Sequence, residues 1–336
     1  MQLFRAVLLR LATTAVTLSG VALIVFVVIR VVPGNPIAMM LPPGATDADI
    51  ARLTAQYGLD KAIPEQFFIW ANGVLHGDFG VSITARQPVL DLVLGRLPAT
   101  LELSIMALVI ACVLGGAAAL TGTRGRGTGA EAAIDIANGV ALSIPDFLWG
   151  LVLVLLFGVL MPVFHISGRV TPSLDLPFVT NFYLFESVAR LRFDLWADIV
   201  SHMFLPALAL AIPLAAIIGQ LLKQSLKETM HLDYVTLART KGYGENHVIL
   251  REALRNAVLP TLTLVGVQFT FLIGGTVIIE RLFSYEGLGN MAIDAVINRD
   301  LPLIQGIVIL FAVIFTVVNL CVDLLYAVLN PRLRHG

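Results

Sequence analysis

Apolar positions in this chain fall in long unbroken runs rather than in the short alternations of a soluble fold. A helix needs roughly 18 or more such residues to cross a ~30 Å hydrocarbon core. About six runs qualify: Leu8–Val31, Thr100–Thr121, Ile134–Val163, His202–Leu222, Thr261–Ile279 and Leu303–Leu329. The third is long enough to tilt or bend, and Pro145 offers a place for it. The pattern predicts an all-α membrane protein of about six transmembrane helices, with a large insertion after helix one and a patterned segment between helices four and five. Residues 1–32 would hold the first helix, 33–98 the insertion, and 99–336 a five-helix core that includes the patterned segment at about 223–259.

The polar segments set the orientation. Arg5 and Arg10 precede span one, Arg124 and Arg126 follow span two, and Arg332 and Arg334 close the chain. Lys223, Lys227, Arg239, Lys241, Arg251 and Arg255 follow span four. With six spans these all share one side, which the retention of positive loops makes cytoplasmic. Both termini are therefore expected inside. The first apolar run is too long for a signal-peptide core and no small-residue cleavage site follows it, so it is expected to remain as a helix.

Within the exterior insertion, Thr46-x-x-Asp49 resembles a capping box and Gly58 a helix stop. Pro64 suits the first turn of a second helix, Glu65–Leu75, whose Phe67, Phe68, Trp70 and Val74 would lie on the membrane interface or pack as a small cap. The other exterior segment, Phe164–Ser201, is polar and irregular and predicts no element.

The segment after span four is far longer than the 2–8 residues that connect neighbouring helices. Asp233 can cap a short helix Tyr234–Lys241 that Gly242 terminates. Beyond Gly244, Asn246 can cap a second helix running through Ala257, before Pro260. Val248, Ile249, Leu250, Leu254 and Val258 would give it an apolar side, with Arg251 and Arg255 one turn apart. Two short amphipathic helices make a knob, and a knob on the inner face suits the groove of a partner.

Composition narrows the class. Apolar residues make up 57% of the 336 and charged residues 13%, about half the charge of a soluble domain. A net charge of −1 gives no basic stripe for nucleic acid. Cys112 and Cys321 sit far apart in apolar runs and read as small hydrophobes. The glycine-rich stretch Gly122–Gly129 lacks the Gly-Lys-Ser/Thr ending of a phosphate loop. His165, His202, His231 and His247 share no metal-ligand spacing and are expected as surface residues at loop ends.

The run Asp233-Tyr234-Val235-x-x-Ala238-Arg239-x-Lys241-Gly242, followed by Ala253-Leu254-Arg255-Asn256-Ala257-Val258-Leu259-Pro260, resembles the signature loop of binding-protein-dependent ABC importer permeases. More narrowly, it is similar to the dipeptide/oligopeptide permease family, in the subunit type with the large exterior insertion. Further blocks agree: Val32-Pro33-Gly34-Asn35-Pro36, Tyr57-Gly58-Leu59-Asp60-Lys61, Gly77-Asp78-Phe79-Gly80-x-Ser82, and Arg96-Leu97-Pro98-Ala99-Thr100-Leu101-Glu102-Leu103. Glu280-x-x-Phe283-Ser284-x-x-Gly287-Leu288-Gly289, Arg299-Asp300-x-Pro302 and the tail Asp323 to Arg332 complete the series. Three features depart from the pattern: Thr236-Leu237-Ala238 replaces Glu-Ala-Ala, the run from Gly242 to Pro260 is longer than in the general signature, as the peptide subfamily tolerates, and Asn35 stands where Asp is usual.

The resemblance implies a transmembrane permease subunit of the bacterial inner membrane that is not itself catalytic and binds no metal. A second related permease would complete a heterodimer in membrane lipid. Two cytoplasmic ATPases would bind ATP and Mg, and an extracytoplasmic binding protein would deliver dipeptides or short oligopeptides. It assigns ATPase coupling to Asp233, Ala238, Arg239, Lys241, Gly242, Tyr243, Gly244 and Glu245, and leaves the substrate-binding residues open. Import of nickel or another small solute by the same architecture is the alternative. A secondary transporter would call for repeats and midplane charges that are not visible here, and an intramembrane protease for a histidine at span depth.

Polar residues at or within the spans carry a separate question. Glu102, Asp135 and Asp146 are expected to hydrogen-bond at helix ends, whereas Asp323 reads equally as structure or gate. Gly115–Ala119 and Gly274-Gly275 could line a pore or let helices approach closely.

Overall fold

A computed structural model describes residues 2–31, 46, 48, 51, 54, 60–174 and 178–329. Among these every extended element is a helix: α1 (Gln2–Val31), α2 (Ile63–Leu75), α3 (Val89–Arg124), α4 (Gly129–Ser143), α5 (Asp146–Leu160), α6 (Tyr183–Ala189), α7 (Phe193–Thr229), α8 (Asp233–Thr240), α9 (Glu245–Leu282), α10 (Leu288–Ile297) and α11 (Leu301–Leu329). Backbone polar groups have no water to bond in hydrocarbon, so helices satisfy them internally. Pro98, Pro206, Pro213 and Pro260 all lie inside helices. Four helices, α3, α7, α9 and α11, are long and apolar enough to span a membrane, or five with the bent pair α4–α5. The sequence-based total of six also includes α1, whose described apolar stretch is the shorter Ala12–Val27.

The third expected span differs most from its reading. It is not one tilted helix but α4 and α5, bent by 103°. Pro145 sits at the break with φ −56° and ψ 148°, an extended conformation that ends α4 and starts α5. α5 closes in a π-helical turn, Val154–Leu160. The fourth span is longer than its apolar core, because α7 begins at Phe193 in the segment that had predicted no element.

The chain divides into two compact units, residues 1–97 with 291–317, and 98–290 with 318–336. In the first, α2 starts with Pro64 in its opening turn and packs as a cap on α1. Phe67 meets Phe26 edge-on at 5.2 Å and Trp70 lies 5.6 Å from the same ring, while Phe68 stays exposed. Gly77 and Gly80 take positive φ (84° and 80°) in the turns that follow. Asp300, fully buried, then accepts from the Ser82 hydroxyl at 2.6 Å and the Thr84 N–H at 2.9 Å. Two sequence blocks remote along the chain are thus pinned to each other. The Thr46-x-x-Asp49 start, the Gly58 stop, the Val32–Pro36 block, most of the Tyr57–Lys61 block and the tail beyond Leu329 rest on residues outside those described, as does the Asp323 side chain.

In the second unit α7 is the central helix. Of its most apolar stretch 61% is buried, against 28–33% for α3, α9 and α11, which leave apolar faces for lipid or for another subunit. α3 crosses α7 with backbones in close approach: a Cβ on Gly115 would stand 2.5 Å from the Ala215 carbonyl, so the glycine is required for packing. Gly116, Gly274 and Gly275 meet nothing within 4 Å. Glu102, buried, accepts from Arg169 at 2.7 Å and from the Leu184 and Phe185 N–H groups at the start of α6. Asp146 accepts from the Phe147 N–H, and Asp135 from Lys223 at 2.8 Å. Structural hydrogen bonding accounts for all three acids.

Candidate functional site

Among the described residues, the segment between α7 and α9 forms a compact projection built on its own apolar cluster. Leu222, Leu226 and Met230 from the end of α7, Val235 and Ala238 from α8, and Val248, Ile249, Ala253 and Ala257 from α9 are all buried together. Ala119 of α3 joins them. The 3.6-residue period dictates this: Val235 and Ala238 are three apart and share one side of a two-turn helix.

The two caps expected here are placed otherwise. Leu232, with β-region backbone, is the N-cap of α8, and Asp233 is its first helical residue, complementing the helix dipole without a side-chain cap bond. Gly244 (φ −65°, ψ 152°) is the N-cap of α9, so Asn246 lies inside the helix. The second helix is also not short. It passes through a π-helical turn, Val248–Ala253, and continues across Pro260 as the fifth span. The π-turn inserts an extra residue into the helical register. This explains why Val248 and Ile249 are buried whereas Leu250, expected on the same side, is 41% exposed.

Gly242 has φ +82°, the left-handed conformation that ends α8, with open space where a Cβ would stand. Its N–H bonds the Arg239 carbonyl at 2.9 Å, and Tyr243 N–H reaches the Ala238 carbonyl. Arg239 bridges the turn, donating to the two Glu245 carboxylate oxygens at 2.8 and 3.3 Å and to the Met230 carbonyl at 3.3 Å. The Glu245 carboxylate raises the Arg239 pKa above its already high ordinary value. Tyr243 stacks on His247 at 4.6 Å, and Asn256 donates to the Tyr234 hydroxyl at 2.7 Å, tying α8 to α9.

Of the eight residues singled out in the sequence, Ala238 faces inward and the other seven are exposed. Arg239 and Glu245 are brought together, whereas Asp233 and Lys241 mark opposite ends of α8. Leu232, Leu237, Tyr243 and Leu250 are large apolar side chains left exposed on the same projection. That apolar set had no clear periodic signature, because the π-turn and the glycine turn set it. An adjoining cavity of about 470 Å³ is rimmed by Arg124, Arg126, Lys223, Lys227, Arg239 and Glu245, joining the glycine-rich turn to the projection. His231 is exposed and His247 partly so, but His202 is buried at 4% exposure, against its expected place at a surface.

Residues 111–335 match the family model for the binding-protein-dependent transport system inner membrane component, and residues 3–104 match its N-terminal counterpart. The chain is 38% identical over 337 aligned residues to the dipeptide transport system permease protein DppB of Escherichia coli, covering 98% of each. It is 35% identical to the di/tripeptide transport system permease protein DppB of Pseudomonas aeruginosa, covering 97% of each. The glutathione transport system permease protein GsiC of Salmonella choleraesuis is 33% identical, with 98% of each covered. Matching relatives over nearly its whole length, through both the membrane helices and the projection between α7 and α9, the chain belongs to the family of inner membrane components of binding-protein-dependent transport systems.

Proposed function

We propose that this chain is one permease subunit of an ATP-driven importer of dipeptides and short oligopeptides. A second related permease completes the pathway, two cytoplasmic ATPases power it, and an extracytoplasmic binding protein delivers the peptide. The observation that carries this reading is full-length similarity to permeases named for dipeptide and di/tripeptide transport. In this arrangement the projection faces the cytoplasm and Asp233–Glu245 is the segment an ATPase grips.

The geometry suits that role. A partner cleft would cover Leu237 and Tyr243, recovering the free energy of removing apolar surface from water. Motion applied to α8 would pass through Val235 and Ala238 to Leu226 and Ile249, because close-packed interiors transmit displacement instead of absorbing it. Leu226 and Ile249 belong to helices of 37 and 38 residues, each roughly 55 Å long at 1.5 Å per residue, so a push on the knob reaches the far side of the membrane. Arg239 and Glu245 keep the turn stiff while this happens.

Inverted membrane vesicles or proteoliposomes holding all subunits test the assignment. Labelled dipeptides should be transported in an ATP-dependent and binding-protein-dependent way, and nickel should not. Nickel transport without peptide transport would overturn the substrate class and leave the importer architecture standing.

A further inference from the structure

His165, Asp198 and His202 are remote in sequence and adjacent in space. Asp198 and His202 lie one helical turn apart near the Phe193 end of α7. His165 arrives from the segment after α5, and its ring stacks on His202 with centroids 4.0 Å apart and planes within 5°. One ring nitrogen of each histidine and a carboxylate oxygen of Asp198 lie within 4.8 Å of one another. His202 is buried, Asp198 partly buried and His165 exposed, so the cluster has a fixed floor and one open side.

Hydrogen bonding determines what each residue presents. The Ser201 hydroxyl donates to the Asp198 carbonyl at 2.9 Å, which uses its single proton. At 2.7 Å from His165 Nδ1 it must then accept, which places a proton on that nitrogen. His202 Nδ1 lies 2.9 Å from the same Asp198 carbonyl, which can only accept, so this Nδ1 is protonated too. In this tautomer both imidazoles keep their lone pair on Nε2, while His202 Nδ1 also lies 3.6 Å from the Asp198 carboxylate, so His202 ligates beside Asp198 only by releasing the Asp198 carbonyl or turning its ring. Thr171 orients the Asp198 carboxylate with its N–H at 2.9 Å and its hydroxyl at 2.6 Å. Imidazole Nδ1–H held by a carbonyl and a carboxylate held by a second donor are the outer-shell bonds that orient metal ligands.

We propose that His165, Asp198 and His202 form a binding site for a divalent cation of the zinc class. Two imidazoles and one carboxylate suit zinc, and exclude magnesium and calcium, which take oxygen donors. Zinc holds its ligands at about 2.0–2.2 Å, and water would fill the fourth tetrahedral position on the open side. For the nitrogens to converge the stacked rings must fan and His202 must exchange its bond to the Asp198 carbonyl for the ion, with the exposed His165 free to rotate and Thr171 holding the carboxylate. The bound ion would clamp the segment after α5 to α7, at the end of α7 away from the candidate coupling turn.

The full-length chain, purified with the subunits it retains, should be stripped with a chelator and titrated with zinc. Bound zinc is then counted by elemental analysis and Tm is followed in parallel. The native protein should hold about one equivalent more than His165→Asn, which retains a donor for Ser201 but lacks the ligating nitrogen. Zinc should raise Tm in the native protein and in His165→Cys, which restores a ligand, with a smaller effect in His165→Asn and none from magnesium. Because His165 is exposed, these variants should fold. Equal zinc content in the native and Asn proteins, or equal Tm shifts, would overturn the site.

Discussion

The two ends of α7 are held by opposite means. At the Phe193 end, irregular segments are stapled to the helices by buried or partly buried polar groups. Glu102 takes Arg169 and two backbone N–H groups, Asp198 takes Thr171, and Arg169 lies 3.9 Å over the Tyr183 ring. At the Thr229 end, the turn sits on a small apolar cluster and turns its charges outward. Polar staples in a low-dielectric interior fix one geometry and penalise any other, because each unpaired member is costly. An apolar cluster of alanines, valines and leucines is less demanding of direction and can move as a body. One end is held in a single geometry and the other is free to shift as a unit.

The largest damage follows from removing one member of the staple. Arg169 and Glu102 are 6% and 0% exposed and 2.7 Å apart. Arg169→Ala would leave Glu102 without its charge partner, a change that typically costs about 3–5 kcal/mol. The expected outcome is low membrane abundance and a lowered Tm in the purified complex. Pairing Arg169→Met with Glu102→Gln should recover a large part of the loss, since no buried charge remains. A double variant as unstable as Arg169→Ala would mean that the pair is held for its shape rather than its charge.

At the other end, substitutions should spare folding and harm transport. Gly242→Val forces a β-branched residue into φ +82°, a strain of about 1–3 kcal/mol confined to a turn with open space around it. Lys241→Glu places an anion at the C-terminus of α8, where the helix dipole favours cations. Both proteins should insert and retain the second permease, while peptide uptake falls about tenfold or more, the equivalent of ~1.4 kcal/mol in an equilibrium constant. ATPase subunits should wash off more readily in parallel. Normal uptake with full ATPase retention would separate this turn from the drive.

How much of each end was legible follows from the same contrast. The Thr229 end is written in pattern: Gly242 marks its stop, Val248 and Ile249 lie on the apolar side expected of the second helix, and the match to a permease signature marks its place. What pattern could not supply was the π-turn after His247, which carries Leu250 outward and joins the second helix to the fifth span. The Phe193 end has no periodicity to read. Its order comes from single long-range contacts such as Arg169 to Glu102 and His165 to His202, and a lone residue in an irregular segment carries no signal of its partner. Pro145 marked the place of a bend, but not the 103° turn it makes.

The smallest effect is expected where the polar staple reaches the surface. Glu186 gathers the Thr180 hydroxyl, the Val179 N–H at 2.8 Å and the Thr180 N–H at 2.8 Å, and pairs with Arg190. These bonds, the Thr180 hydroxyl foremost, lower its pKa from the ordinary 4.5 to about 2. A depressed carboxylate stabilises the fold above its unfolded pKa and loses that contribution as pH falls through the folded value. The loop should therefore stay tied across neutral and mildly acid pH, loosening only as pH drops from about 4.5 towards 2. Glu186→Gln imitates the protonated form at neutral pH without that exposure to acid. Glu186 is partly buried but ties only its own loop, so global Tm should change little. Hydrogen exchange at the Val179 and Thr180 amides should rise severalfold, while exchange in α7 stays as it was. If those two amides remain protected in Glu186→Gln, the carboxylate is not what orders them, and the staple ends at Arg169.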